Sequence, residues 1–200
     1  MKSRVIKKSV EERIIAIEEE LKAIKEERSL ERFKGLGIKD EFQLIGVNWK
    51  ILDITEKGYL CLAESIDDSM EFDSDFNNWE PSDLRDYLNT KVFNRISDEI
   101  GSEYVIPFER DLLSLDGQTE YGKCRDKVSL LNVDEYRKYR SLIPNTDKWW
   151  WTITPWSTAC NNDSTWVTVV SPSGNFNYYF CYGGHGVRPF CIFSSALFES

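Results

Sequence analysis

The chain has 200 residues, 41% of them hydrophobic and 14% aromatic, which suits one globular domain with an accessory segment and excludes a disordered chain. Its formal net charge of −9 disfavours nucleic acid and anionic membrane surfaces as partners, because both require a basic face. No apolar run approaches the length of a bilayer span, so no membrane insertion is expected.

The opening Met1-Lys2-Ser3-Arg4 is basic, but no apolar core of a signal peptide follows it, so no secretory signal is expected. Residues 9–34 read as a helix. Ser9-Val10-Glu11-Glu12 is a capping-box pattern, in which serine and glutamate satisfy free amide donors of the first turn. Val10, Ile14, Ile17, Leu21 and Ile24 follow at alternating spacings of four and three, a heptad stripe among Glu and Lys. The stripe covers about two heptads, marginal for an isolated coiled coil. It suggests homo-oligomerisation through residues 9–31, against the alternative of a helix packed on its own domain. Leu in one core register with Ile in the other leans above a dimer.

Gly35-Leu36-Gly37-Ile38 breaks the helix, so the chain divides into a helical segment at 1–35 and a main domain at 36–200. Val47–Ile54 and Gly58–Ala63 alternate as the strands of a hairpin turning at Glu56-Lys57-Gly58. Residues 64–80 are acidic and loop-like. The run Asp67–Asp75 reads as a solvated charge run rather than a cation site. Pro81 to Leu88 opens a helix that continues through Val92-Phe93 and Ile96 to Ile100. Leu130–Tyr136 suggests a strand end entering a short helix. The five cysteines, Cys61, Cys124, Cys160, Cys181 and Cys191, form no C-x-x-C pair, so zinc is not expected and most of them read as buried, reduced, small hydrophobes.

From Trp149 to Val187 the composition changes. Asp163 is the one formally charged residue there, and His185 is the only histidine of the chain. Five of the seven tryptophans fall in this stretch, with Phe176, Tyr178, Tyr179, Phe180 and Tyr182, interleaved with Thr, Ser, Asn and Gly. Adaptable binding surfaces use this mixture: aromatics supply contact area at low entropic cost, and small polar groups supply hydrogen bonds. Trp149 and Trp150 are the better candidates for core. Trp156, Trp166 and Tyr182 are the better candidates for surface.

Trp149-Trp150, a Ser173-Gly174 turn and Gly186-Val187-Arg188-Pro189 together resemble a family of C-type-lectin-fold domains from phages and bacteria. Upstream, Trp49 with Ile51-Leu52-Asp53, and Trp79 with Ser82-Asp83-Leu84-Arg85 and Leu88-Asn89, are similar to that family's opening strand and helix start. The resemblance covers about residues 44 to 193. It departs from the family where an arginine usually follows the Trp pair; here Thr152 stands after an extra aromatic, Trp151.

The family resembles the variable proteins of diversity-generating retroelements. The resemblance implies an α+β C-type-lectin-like domain preceded by a coiled-coil helix, with a variable-type region at 149–189. Scaffold residues Trp149, Trp150, Gly174, Gly186, Val187, Arg188 and Pro189 would alternate with exposed, diversified contacts. The implied ligand-binding residues are Thr152, Thr154, Trp156, Ser157, Thr158, Asn161, Asn162, Ser164, Trp166, Thr168, Tyr178, Phe180, Tyr182, Gly184 and His185. The implied partner is a protein or glycan on another cell or particle. The implied setting is a phage tail or a cell surface, with the cytoplasm before assembly.

Two alternatives remain open. One is an enzyme of the formylglycine-generating type, which uses the same broad fold and cysteine chemistry. The region has one Asp, one His and no Glu or Lys, too few groups to pair a nucleophile with a base. The other is a calcium-dependent lectin, for which Asn161-Asn162-Asp163 offers one carboxylate where calcium prefers several. The expectation is therefore a binder with no catalytic residue, metal ligand or cofactor.

Overall fold

The computed structural model describes residues 9–199; the basic start at Met1–Arg4 lies outside them. The chain is mixed α+β. Helix α1 (Val10–Leu30) is capped as the sequence indicates: the Glu12 amide donates to Ser9 Oγ at 3.2 Å and the Ser9 amide to Glu12 Oε2 at 2.7 Å. A 3₁₀ turn follows and buries Phe33 against Phe42 and Phe198. The Gly35 amide then donates to the Phe198 carbonyl at 2.9 Å, so the glycine break is fastened to the body of the protein.

Strands β1 (Glu41–Leu44), β2 (Val47–Thr55) and β3 (Gly58–Ala63) form an antiparallel meander. The last strand, β12 (Phe190–Phe193), joins β3, and the short β5 (Val105–Ile106) completes a five-stranded sheet in the order β1-β2-β3-β12-β5. Both faces of this sheet are covered. Cys61, Ala63, Cys191 and Phe193 enter one apolar cluster, while Leu62, Phe190 and Ile192 enter the other. That is the period-two alternation of a strand, applied to two cores. In β2 the consecutive residues Ile51 and Leu52 divide between the clusters in the same way, and the register with β3 shifts between Ile51 and Asp53. Gly58 closes the hairpin at φ +126°, where a Cβ would collide with the Phe193 carbonyl.

The second sheet has the order β10-β9-β8-β11-β4, from β4 (Asp67–Met70), β8 (Trp150–Pro155), β9 (Trp166–Val170), β10 (Phe176–Phe180) and β11 (His185–Val187). The strand β4 corrects the reading of 64–80 as loop. An edge strand needs backbone pairing on one side only, which the acidic residues of β4 obtain from His185 and Val187. The charge run is also not wholly solvated. Asp73 is buried, its Oδ1 accepts from the amides of Asp75 and Phe76 at 2.8 and 3.1 Å, and it organises the turn.

Between the sheets run α2 (Asp83–Tyr87), one π turn and α3 (Phe93–Ile100), capped by Ser82, whose Oγ accepts from the Arg85 amide at 3.2 Å. A hairpin of β6 (Phe108–Asp111) and β7 (Lys123–Asp126) follows, then α4 (Val133–Tyr139) behind a complete capping box of Asn132 and Glu135. Ser129 makes an isolated bridge to Phe190 just before this helix; the strand end expected at Leu130 is not a strand, while the short helix expected after it is present. Four of the five thiols are buried and free, and Cys160 is exposed and free. Among the described residues, no helix is long and apolar enough to cross a membrane.

Candidate functional site

The two motifs that lie some forty residues apart in the sequence meet in the second sheet. Gly186 pairs with Trp150 in the parallel contact of β11 with β8, and its amide donates to the Trp149 carbonyl at 2.8 Å. A Cβ on Gly186 would stand 3.1 Å from that carbonyl, so the close approach favours glycine. Arg188 lies over the Trp150 ring at 5.1 Å and donates from Nε to the Ala63 carbonyl at 3.0 Å, joining the two sheets. Burial lowers its pKa to about 10. Gly174 sits at φ +82°, and its carbonyl accepts from Tyr136 Oη at 2.9 Å.

On this frame the outer strand β10 carries a row of rings. Phe180 pairs across the strands with Trp166, and their ring centres are 3.8 Å apart. Tyr178 stands 4.8 Å from Trp166 and 4.4 Å from Trp156, and Tyr182 stacks on Phe180 at 5.0 Å and 10°. The result is one continuous ladder, Trp156–Tyr178–Trp166–Phe180–Tyr182. Trp156, Trp166 and Phe180 are half-buried, while Tyr178 and Tyr182 are 41% and 50% exposed. Asn161, Asn162 and Gly184 are exposed and Ser164 is half-buried. The ladder forms because the register of β9 with β10, Phe180 opposite Trp166 and Tyr178 opposite Thr168, puts Trp166, Tyr178 and Phe180 on one face of the sheet.

Five of the residues expected as contacts are instead scaffold: Thr152, Thr154, Ser157, Thr158 and Thr168 are all buried. Their small polar side chains read as surface, but most find partners inside. Thr152 Oγ1 donates to the Thr168 carbonyl at 2.8 Å, Thr154 Oγ1 accepts from the Val133 amide at 3.1 Å, and Ser157 Oγ donates to Asp116 Oδ2 at 2.8 Å. A buried hydroxyl is tolerated once hydrogen-bonded. The position where the family carries arginine, Thr152, thus faces the interior. Of the pair expected in the core, Trp150 is buried in one apolar cluster and Trp149 is half-buried against the other; the extra aromatic, Trp151, is fully buried and donates from Nε1 to the Met70 carbonyl at 2.8 Å.

Sequence reasoning missed three contributors. Tyr179 is 47% exposed and lies edge-on to His185 at 4.5 Å, on the opposite face of β10 from the ladder. It was legible in the strand's alternation, but its exposure was not. Asn77, fully buried in the acidic segment, donates from Nδ2 to the carbonyls of Trp166 and Ser157 at 2.8 and 3.1 Å. Its Oδ1 accepts from Tyr121 Oη at 2.7 Å. Asn77 and Tyr121 therefore latch both ends of the 156–166 loop, and nothing local in the sequence marks them.

No family model, curated protein or solved structure matches the chain.

His185 is half-buried beside Trp151 at 4.7 Å and Tyr179, with no hydrogen-bond partner for Nε2. Burial lowers its pKa. A histidine held neutral by folding contributes stability that is fully present above its unfolded pKa of about 6.5 and is lost as pH falls from there through the lower folded value. Stability is thus expected to decline from pH 7 to pH 5, and His185→Phe to flatten that limb. Denaturant midpoints across this range test it; an unchanged slope in the variant would assign the decline elsewhere. Burial also raises the thiol of Cys181 to about 11, with Asp73 adding to the effect. Among the described residues, no group of three or more His, Cys, Asp and Glu side chains is placed to hold a metal ion.

Proposed function

We propose that this chain is a ligand-display protein: a C-type-lectin-like body that presents an aromatic recognition face, similar to the variable proteins of diversity-generating retroelements. The observation that carries the reading is the ladder Trp156–Tyr178–Trp166–Phe180–Tyr182 on the edge of the second sheet. It lies within a stretch of the chain with Asp163 as its one formal charge, in a protein of net charge −9. Large rings with flexible small polar neighbours are what hot-spot contacts are made of. Support for the family comes from Trp149-Trp150 and Gly186–Pro189 meeting where β8 and β11 pair, and from the first hairpin and last strand sharing a sheet. The ligand on this reading is a protein or glycan on another cell or particle, such as a phage tail tip would meet.

The formylglycine-type enzyme has less support. Its nucleophile would need a base, yet the Cys181 thiol is buried and pushed away from its reactive thiolate form. For the calcium lectin, the carboxylate of Asp163 is engaged by the amides of Thr165 and Trp166 at 3.3 and 3.2 Å.

Deep sequencing of the gene from its source population tests the proposal. Substitutions are expected at exposed and half-buried positions, Trp156, Asn161, Asn162, Ser164, Trp166, Tyr178, Phe180, Tyr182 and Gly184, with adenine positions of a nearby template repeat as their source. Thr152, Thr154, Ser157, Thr158 and Thr168 are expected to stay fixed, because they are buried. A uniform sequence, or variation spread equally over the buried threonines, would sink the diversified reading.

A further inference from the structure

Helix α1 presents a face that no other described residue covers. Every residue from Val10 to Leu21 is exposed, and the stripe Val10, Ile14, Ile17, Leu21 and Ile24 is 43% to 72% exposed. A helix whose apolar stripe finds nothing within its own chain is stable in water only when another surface covers it. At its other end Leu30 and Phe33 root the helix in the core, and Arg32 pairs with Glu99 of α3 at 2.5 Å.

From these observations we infer that α1 is the seam of a parallel homo-oligomer of more than two chains, each copy covering the stripe of the next. The charges at its borders choose the occupant. The four-three spacing puts Val10, Ile17 and Ile24 at d and Ile14 and Leu21 at a, so Glu11 and Glu18 fall at e and Arg13 and Glu20 at g. In a parallel bundle a g residue meets the e residue five positions on in its neighbour, which sets Arg13 against Glu18. One heptad on, the sequence again places opposite charges at g and e, Glu20 and Lys25. An antiparallel pairing sets e against e and g against g, bringing Glu18 or Glu20 against its own copy. Like charges at these borders destabilise a pairing, and opposite charges select it.

The core positions set the number. Ile14 at a is followed by Ile17 at d, and Leu21 at a by Ile24 at d; both combinations favour three or four strands over two. A helix of 21 residues is short, and the larger apolar core of a trimer or tetramer offsets that. The consequence rests on the display reading above. All bodies would leave the bundle at one end, so several recognition faces would engage one surface together, which raises apparent affinity by roughly 10² to 10⁴.

The test uses the full chain and does not depend on any ligand. Sedimentation equilibrium is expected to give three or four times the 23.4 kDa chain mass; a monomer or a dimer overturns the inference. Replacing both Ile17 and Leu21 with Asp is expected to yield a monomer whose near-ultraviolet circular dichroism matches the parent, since the aromatic residues lie outside the stripe. A double variant that stays oligomeric would place the contact on another face. Orientation is read from Val10→Cys in a Cys160→Ser background, which removes the one exposed thiol. A parallel bundle brings the new thiols together and cross-links on mild oxidation; an oligomer that does not cross-link overturns the parallel arrangement. The sequencing experiment reads the display proposal independently of all three outcomes.

Discussion

Trp151→Ala is expected to cost about 3–5 kcal/mol, the usual range for a buried Trp reduced to Ala. The side chain is fully buried, packs edge-on against Phe72 at 5.8 Å and His185 at 4.7 Å, and donates its indole N–H to the Met70 carbonyl of β4. Its removal leaves a void between β8 and β4 and an unpaired carbonyl beside it. Against a total stability of about 5–15 kcal/mol for a domain, such a loss consumes a large share of the margin. Tyr182→Ala is the matched control: its ring is half in solvent, and surface substitutions of this kind shift stability by about 0.5 kcal/mol. Chemical denaturation of the two variants separates scaffold from display. A Trp151→Ala protein as stable as Tyr182→Ala would show that Trp151 does not hold β8 against β4.

Asp126→Ala is expected to be comparably severe. The carboxylate is buried at the end of β7 and accepts from two remote donors, Trp79 Nε1 at 2.8 Å and Arg85 Nε at 2.6 Å. Arg85 further donates to the carbonyls of Glu80 and Arg125, at 2.8 and 3.1 Å. Removing the acceptor leaves the indole N–H without a partner and the guanidinium facing a buried void. Breaking one side of a buried pair costs about 3–5 kcal/mol, because the partner's desolvation is no longer compensated. Asp126→Asn keeps one acceptor oxygen and the shape, and is expected to lose less. The near-ultraviolet signal of Trp79 and the denaturant midpoint report the outcome. A loss below about 1 kcal/mol would show that water replaces the carboxylate, and would remove this network from the account of how α2 is held.

Much of the framework is legible in the sequence, because it depends on contacts a few residues apart. The box of Ser9 and Glu12, the cap of Ser82, the hairpin closed at Gly58 and the heptad stripe of α1 are each set by local spacing and by the φ/ψ preferences of single residues. The heptad also carries the charge order on which the proposed parallel pairing rests. The motif residues Trp149-Trp150 and Gly186–Pro189 are visible as motifs, and their pairing is a single strand contact.

The exposure of residues around the aromatic ladder is not legible in the same way, and the threonines show why. Thr152 and Thr168 have the same side chain as any surface threonine; they are buried because β8 and β9 pair and the Thr168 carbonyl is there to accept. Ser157 and Asn161 are near neighbours of one composition, yet Ser157 is buried on Asp116 while Asn161 remains at the surface. Asn77 and Asp126 act through partners about forty to ninety residues away in the chain. Apolar periodicity reports which residues must avoid water; it is silent on polar ones, whose burial is decided by whether a distant donor or acceptor meets them. The sequence by itself therefore determined the elements, the helical seam and the aromatic supply of this protein. Only the tertiary structure, by pairing β10 with β9 and the hydroxyls of β8 inside, decided which of those residues are exposed.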